Sequence, residues 1–324
     1  MNKQIGYGLL LLAALAAPFI GYPVFLMKLL CFTLFASAFN LLLGFTGLLS
    51  FGHAAFFGTA GYVAGNALKH WGMPIELGIL AGVAGAALVG VVIGGLAIRR
   101  SGIYFSMITL ALAQMVYFFA LRYTGFTGGE DGLQGVPRGH LLGTIDLSND
   151  LTLYFVVLAF VVAAFALIVR TVHSPFGQVL RAIKENEPRA ISLGYDVDKY
   201  KLMAFVLSAA LAGLAGALKT VVLGFETLTD VHWTMSGLVI LMTLVGGMGT
   251  LAGPLLGAVI IIALENKLGD VGTAMASGTG IEWFNTLGEA VSMVTGLIFV
   301  ACVLLFRRGI IGEIVAVLGR KKPA

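Results

Sequence analysis

Few residues of this 324-residue chain have the type and spacing that chemistry requires. Cys31 and Cys302 lie far apart in apolar runs, so they predict neither a disulfide nor a metal site. The stretch TGGEDGL (127–133) lacks the alternating oxygen donors of a calcium loop. GLAGALKT (213–220) is no phosphate-binding loop, because two residues separate its last glycine from Lys219. With no paired histidines or carboxylates at helical spacing, we predict no catalytic residue, no metal and no ATP hydrolysis by this chain alone.

Charge is concentrated in one segment, RAIKENEPRAISLGYDVDKYK (181–201), which holds nine of the chain's 20 basic and 16 acidic residues. Apolar residues recur among the charges over 177–193, which predicts an amphipathic helix. Pro188 divides it into two short helices that meet near Asn-Glu-Pro, and Gly194 ends the second. Such a segment is either a solvated connector or a docking surface for a soluble partner. Its length and mixed charge favour the docking surface.

The composition is that of an integral membrane protein. Hydrophobic residues make up 59% of the chain, charged residues only 11%, and the mean hydropathy is +0.98. A soluble domain is roughly a quarter charged. The net charge of +4 therefore indicates basic cytoplasmic loops and not nucleic-acid binding. We predict an all-α fold, a polytopic bundle of transmembrane helices in a single domain over residues 1–324.

Eight apolar runs are long enough to cross a bilayer core of about 30 Å, which takes roughly 20 residues. The first run also resembles a signal peptide, since Lys3 precedes it and residues 14–16 offer a cleavage site. Because apolar sequence resumes after Pro23, we favour a retained helix. The predicted spans are 5–20, 24–43, 47–65, 77–98, 103–121, 151–170, 203–223 and 287–306.

The stretch 232–265 differs from these spans. It holds two short apolar pieces separated by GGMGTLAGP, in which Gly246, Gly247 and Gly249 free the backbone and Pro254 begins a helix. A kinked pair of packed helices and a pair that lines a pathway both fit this pattern. We predict a re-entrant or broken helix pair, with the glycines at membrane depth.

The basic residues orient the chain. With eight full spans and the re-entrant pair, both termini and the loop 171–202 lie on one face. Fourteen of the 20 basic residues then share that face, which the positive-inside rule makes cytoplasmic. They are Lys3, Arg99, Arg100, Arg170, Arg181, Lys184, Arg189, Lys199, Lys201, Arg307, Arg308, Arg320, Lys321 and Lys322.

Several stretches resemble one family of permeases. NLLLGFTGLLSFGHAAFFGTAGY (40–62), YFSMITLALAQM (104–115), TGGEDGLQGVPR (127–138), RAIKENEPRAISLGYDVDKYKLMAFVLSAALAGLAGAL (181–218) and LVGGMGTLAGPLLGA (244–258) occur in the family's order. The chain thus resembles the M-type membrane subunit of branched-chain amino-acid ABC transporters, the LivM-like permeases.

This resemblance implies an ABC importer of the inner membrane for branched-chain or other hydrophobic amino acids. It implies a second homologous permease, two ATPases that bind ATP and Mg²⁺, a periplasmic or tethered solute-binding protein, and surrounding lipid. This chain would bind no cofactor itself. The general E-A-A-x-x-x-G pattern of coupling loops survives here only as Ala190 and Gly194, in PRAISLG. The implied ATPase-coupling residues are Arg181, Ala182, Lys184, Glu185, Asn186, Glu187, Arg189, Ala190 and Gly194.

Polar residues within the spans are the candidates for the substrate pathway. Ser50, His53 and Gln114 sit in apolar surroundings, where such residues face the bundle interior or water. Together with Gly246, Gly247 and Gly249 they form the predicted pathway set. Urea, short amides and aromatic carboxylates are alternative substrates. A stand-alone secondary carrier is a weaker alternative, because ion coupling needs mid-membrane charges that are nearly absent here.

Overall fold

The computed structural model describes residues 3–19, 21–279, 293–294, 296–297, 300 and 309–313. Within them the chain forms a helical bundle, which confirms the predicted all-α fold. The helices are α1 (Lys3–Ala16), α2 (Pro23–Thr46), α3 (His53–Lys69), α4 (Ile75–Ala97), α5 (Ile103–Arg122), α6 (Thr124–Thr127), α7 (Asp150–His173), α8 (Pro175–Glu185), α9 (Glu187–Ser192), α10 (Val197–Leu223), α11 (Trp233–Gly246) and α12 (Gly253–Thr279).

Two short antiparallel strand pairs join the helices. Strand β1 (Leu133–Gln134) pairs with β4 (Phe225–Glu226), and β2 (His140–Leu141) pairs with β3 (Ile145–Asp146). Short 3-10 turns cover Ala17–Phe19, Gly129–Asp131 and Leu228–Asp230.

Five of the described helices are long and apolar enough to cross a membrane, namely α2, α4, α5, α7 and α10. They coincide with five of the predicted spans. The predicted spans 5–20 and 47–65 correspond to shorter helices, α1 with 14 residues and α3 with 17. The last predicted span, 287–306, and Cys302 within it fall almost wholly outside the described residues.

Helix α10 forms the centre of the bundle and packs against α2, α3 and α4. The rings of Phe35, Phe39, Phe56, Phe57 and Phe205 are fully buried among these helices. With 27 residues, α10 is roughly 40 Å long. We call the end of the bundle at α8 and α9 the coupling end, and the end at β1 and β4 the strand end.

Between α2 and α3 the structure corrects the predicted span 47–65. Gly47 adopts a left-handed conformation, with φ of 80°, and its N–H closes the end of α2. The next helix therefore begins only at His53. Ser106 Oγ of α5 donates to the Leu49 carbonyl at 2.7 Å, and the Phe51 N–H donates to Thr109 Oγ1 at 3.2 Å. These hydroxyls satisfy backbone groups that a helix would otherwise have paired.

The predicted break in 232–265 is confirmed in its position along the chain. It is corrected in its place in the bundle, since its glycines lie at the coupling end and not midway along the helices, and in the lengths of its two pieces. Helix α11 has 14 residues and ends at Gly246, but α12 has 27 residues and is not short. The two helices pack against each other and against α2. The non-helical residues 247–252, which we call the α11–α12 turn, lie at the coupling end.

Candidate functional site

The charged segment folds as two short helices, as predicted. Ser174 caps α8 by accepting from the Gly177 N–H, and Asn186 caps α9 by accepting from the Arg189 N–H at 3.1 Å. The boundary between α8 and α9 therefore falls at Asn186. Pro188 lies in the first turn of α9, where a helix needs no N–H donor. Gly194 has a φ of 87°, which ends the segment in the left-handed conformation expected of a glycine stop.

Most of the predicted coupling residues form an exposed surface of mixed charge. Glu187 is half-buried and Ala190 is buried against the bundle, which leaves seven of the nine exposed. The exposed side chains of Ile191 and Leu193 add apolar area to the same surface. The exposed members of the predicted set are Arg181, Ala182, Lys184, Glu185, Asn186, Arg189 and Gly194.

Two contacts fasten this surface to the long helices. Lys201 of α10 is 4% exposed, and its ammonium lies 2.6 Å from the Glu187 carboxylate at the start of α9. Lys184 of α8 donates to the Gly44 carbonyl of α2 at 2.7 Å. A force applied to α8 and α9 therefore reaches both α2 and α10 through direct polar contacts.

The end of α2 also holds the α11–α12 turn. Asn40 accepts from the Gly249 N–H at 2.9 Å and donates to the Thr250 carbonyl at 2.8 Å. One amide side chain thus satisfies two backbone groups of a non-helical segment. The approach is close, because a Cβ atom at Gly44 would lie 2.6 Å from the Gly249 nitrogen. The segment 40–44 of α2 therefore contacts both α8 and the α11–α12 turn.

Two of the predicted pathway residues, Ser50 and His53, are fully buried. Ser208 Oγ donates to the Ala38 carbonyl at 2.6 Å, so its one proton is used there. The His53 Nε2–H must then be the donor in the 2.9 Å contact between His53 and Ser208. In this structure His53 joins α3 to α10, and through Ser208 to α2.

The other predicted pathway residues lie in different places. Gln114 is half-buried on α5, whereas Gly246, Gly247 and Gly249 lie at the α11–α12 turn beside α2. The structure therefore does not gather the six candidates into one site. Their assignment to a substrate pathway stays a prediction.

At the strand end, a buried charge cluster joins α10 to the segment before α11. Lys219 contacts the Asp230 carboxylate and lies 3.4 Å from Glu226 Oε2, while Thr220 Oγ1 lies 2.6 Å from the same oxygen. The three charged side chains are at most 5% exposed. We call Lys219, Glu226 and Asp230 the buried triad. Sequence reasoning missed this contact, because Glu226 and Asp230 alone suggest an outward-facing turn and Lys219 the outer end of a span.

The triad carries two carboxylates and one ammonium, so full ionisation would leave one negative charge uncompensated. Burial raises the pKa of Glu226 to about 8, against the lowering effect of the Lys219 charge and with a smaller raising contribution from Asp230. Glu226 therefore holds its proton at pH 7, and Lys219 pairs chiefly with Asp230. The contact ties the start of α11 to the end of α10.

A family model for the permease component of branched-chain amino acid transport systems matches residues 11–307. The high-affinity branched-chain amino acid permease LivM of Salmonella typhimurium is 28% identical over 71% of this chain and 60% of its own length. A probable branched-chain permease LivH of Methanocaldococcus jannaschii is 32% identical over 49% of this chain and 46% of its own.

A ribose import permease of Haemophilus influenzae is 26% identical over 60% of this chain and 62% of its own length. The match to the two bacterial LivM proteins spans about 60% of their length. No solved structure matches it.

Proposed function

We propose a function from one premise: the chain belongs to the family of permease components of branched-chain amino acid transport systems. The chain is the membrane-spanning subunit of an ABC importer that moves branched-chain or other hydrophobic amino acids across the inner membrane. The observation that carries the proposal is the α8–α9 surface, which is exposed, bears both charges, and is fastened to two long helices by Lys184 and Lys201. Such a surface suits a soluble subunit that pushes on the bundle.

The contacts suggest how ATP hydrolysis on other chains drives transport. When two ATPase subunits close on bound ATP and Mg²⁺, they displace α8 and α9. Lys184 carries this displacement to α2, whose Asn40 holds the α11–α12 turn. Lys201 carries it to α10, whose far end holds Asp230 just before α11. The last residues of α11 are thus linked to α8 through α2, and its first residues are linked to α9 through α10. We expect α11 to tilt when α8 and α9 move.

The partners follow from the same role. A second homologous permease completes the pathway, two ATP-binding subunits drive the pair, one of them docked on the α8–α9 surface of this chain, and a periplasmic or tethered binding protein delivers the substrate. The coupling end is then cytoplasmic, and both termini lie on that side. The distribution of basic residues supports this orientation, since fourteen of 20 share the cytoplasmic face.

The substrate class rests on the names of the relatives. Urea, short amides and aromatic carboxylates remain alternatives. No residue of this chain performs covalent chemistry, because transport requires only that two conformations exchange.

The docking surface is tested by charge reversal. Glu185 and Arg189 are exposed, whereas Glu187 is unsuitable because its reversal would also strand Lys201. We expect the double variant Glu185→Arg/Arg189→Glu to lower ATPase co-purification and amino-acid uptake by about tenfold or more, since like charges placed opposite each other cost several kcal/mol.

The matched control is Arg122→Glu/Glu130→Arg, which reverses two exposed charges at the strand end. It should leave ATPase co-purification unchanged. If the double variant Glu185→Arg/Arg189→Glu shows unchanged ATPase co-purification and unchanged uptake, the α8–α9 surface is a solvated connector and the proposed docking is wrong.

A further inference from the structure

A cavity of about 810 Å³ follows one face of α11. From Trp233 to Leu241 this face is roughly 12 Å long. The volume lies within the range of about 300–1,000 Å³ that is usual for small-ligand sites. The cavity is lined, among the described residues, by Phe51, Thr229, Trp233, Thr234, Met235, Gly237, Leu238, Ile240, Leu241 and Glu265.

Glu265 carries the only formal charge among these lining residues. It is half-buried on α12 and follows the uninterrupted apolar run 253–264. A carboxylate beside such a run avoids lipid, so it faces water, a ligand or another polar chain. The cavity therefore combines one carboxylate with mostly apolar walls.

We propose that this cavity is an amino-acid subsite, in which Glu265 accepts hydrogen bonds from the α-ammonium group of the substrate. Phe51, Leu238 and Leu241 cover an aliphatic side chain. The inference rests on the proposed function and deepens it, since it names the residue that recognises the charged end of the substrate.

The lining also discriminates between substrate classes. A sugar such as ribose presents a hydroxyl on nearly every carbon, and each buried hydroxyl without a partner costs about 1–3 kcal/mol. Among the described lining residues, polar side-chain groups are carried by Thr229, Trp233, Thr234 and Glu265. The rest of the lining is apolar, which suits an ammonium group beside an alkyl chain better than a polyhydroxyl ligand.

Direct binding to the full-length chain tests the subsite without any ATPase. Trp233 lines the cavity and is 43% exposed, so its emission reports a ligand there. In a Trp71→Phe/Trp283→Phe background it is the sole tryptophan. The three probes are leucine, 3-methylbutylamine, which lacks the carboxylate, and 4-methylpentanoate, which lacks the ammonium group.

We expect leucine and the amine to change Trp233 emission, and 4-methylpentanoate to bind at least about tenfold more weakly, since hydrogen bonds to charged groups are the strong ones. Glu265→Gln should weaken leucine binding by about tenfold and remove the preference over 4-methylpentanoate. Glu265→Asp, which keeps the carboxylate, should retain part of the leucine affinity and part of the preference over 4-methylpentanoate. Asn266→Ala is the matched control on the exposed neighbouring position, and it should bind like the unmodified chain.

The subsite is overturned if no probe changes Trp233 emission, or if Glu265→Gln binds all three probes like the unmodified chain. Uptake by the assembled transporter separates this failure from that of the proposed function. If the Glu265→Gln transporter takes up leucine as well as the unmodified one, the proposed subsite is wrong but the importer function is not contradicted. If the unmodified complex takes up no amino acid, the proposed function itself fails. If Glu265→Gln releases the second permease instead, this face is a subunit contact and not a subsite.

Discussion

Replacing Lys219 by methionine should destabilise the chain more than any exposed substitution at the same end. The change keeps an unbranched side chain of similar length but removes the ammonium group from the buried triad. Glu226 already holds a proton at pH 7, because burial raises its pKa to about 8. The net loss is therefore one ion pair, which leaves the Asp230 carboxylate buried at 5% side-chain exposure with no positive charge beside it.

The magnitude follows from this count. Breaking a buried ion pair by removing one partner costs about 3–5 kcal/mol, because the remaining charge stays desolvated. At roughly 2–4 °C per kcal/mol, the lower limit of that cost should reduce the melting temperature by about 6–12 °C. The methionine side chain retains much of the apolar packing of the lysine stem, so packing adds little to this figure.

Thermal unfolding of the detergent-solubilised full-length chain measures the effect. The control is Lys69→Met at the same end, where an exposed lysine donates to the Gln134 carbonyl at 2.6 Å. It should cost at most about 1 kcal/mol. The double variant Lys219→Met/Asp230→Asn leaves no uncompensated charge and should recover most of the loss. The reasoning is refuted if Lys219→Met unfolds within about 2 °C of the unmodified chain, or if the double variant is no more stable than the single one.

Two further predictions concern the close approach at Gly44 and the proton on Glu226. Gly44→Ala should cost about 1–3 kcal/mol and lower uptake, because the added methyl group would lie against the Gly249 nitrogen. Gly95→Ala, where nothing lies within 4 Å, should be neutral or stabilising in the same melting and uptake assays.

Because folded Glu226 keeps its proton to about pH 8 and an ordinary glutamate loses it near 4.5, stability should fall as pH rises between these values. Melting curves from pH 5 to 9 should show a flatter dependence for Glu226→Gln, and equal slopes would contradict the raised pKa.

Local signals predicted much of the coupling segment and the break near Gly246. Caps, prolines and glycine stops act over a few residues, so Asn186, Pro188 and Gly194 could be read from the chain alone. The α11–α12 turn was marked in the same way by its glycines. Helix length was less accessible, because the 27 residues of α12 include Glu265 and Lys267, which break the apolar pattern used to find spans.

Contacts between distant residues could not be predicted in this way. The non-helical segment 47–52 depends on Ser106 and Thr109 of α5, more than fifty residues away. Asn40 satisfies backbone groups more than two hundred residues further along the chain. Sequence reasoning placed Ser50 and His53 in the pathway because polar groups in apolar runs need partners. The structure supplies such a partner for His53 internally, through Ser208.

These long-range contacts also bear on the proposed transmission of motion from the α8–α9 surface through the bundle. A turn held only by apolar packing can slide, but the two backbone hydrogen bonds to Asn40 fix the α11–α12 turn to α2 in one register. The buried triad fixes the other end of α11 to α10, since a separated Asp230 would pay the cost of an unpaired buried charge. Both long helices contact α8 or α9 directly, through Lys184 and Lys201. We therefore expect displacement of α8 and α9 to shift both ends of α11, the helix that lines the cavity.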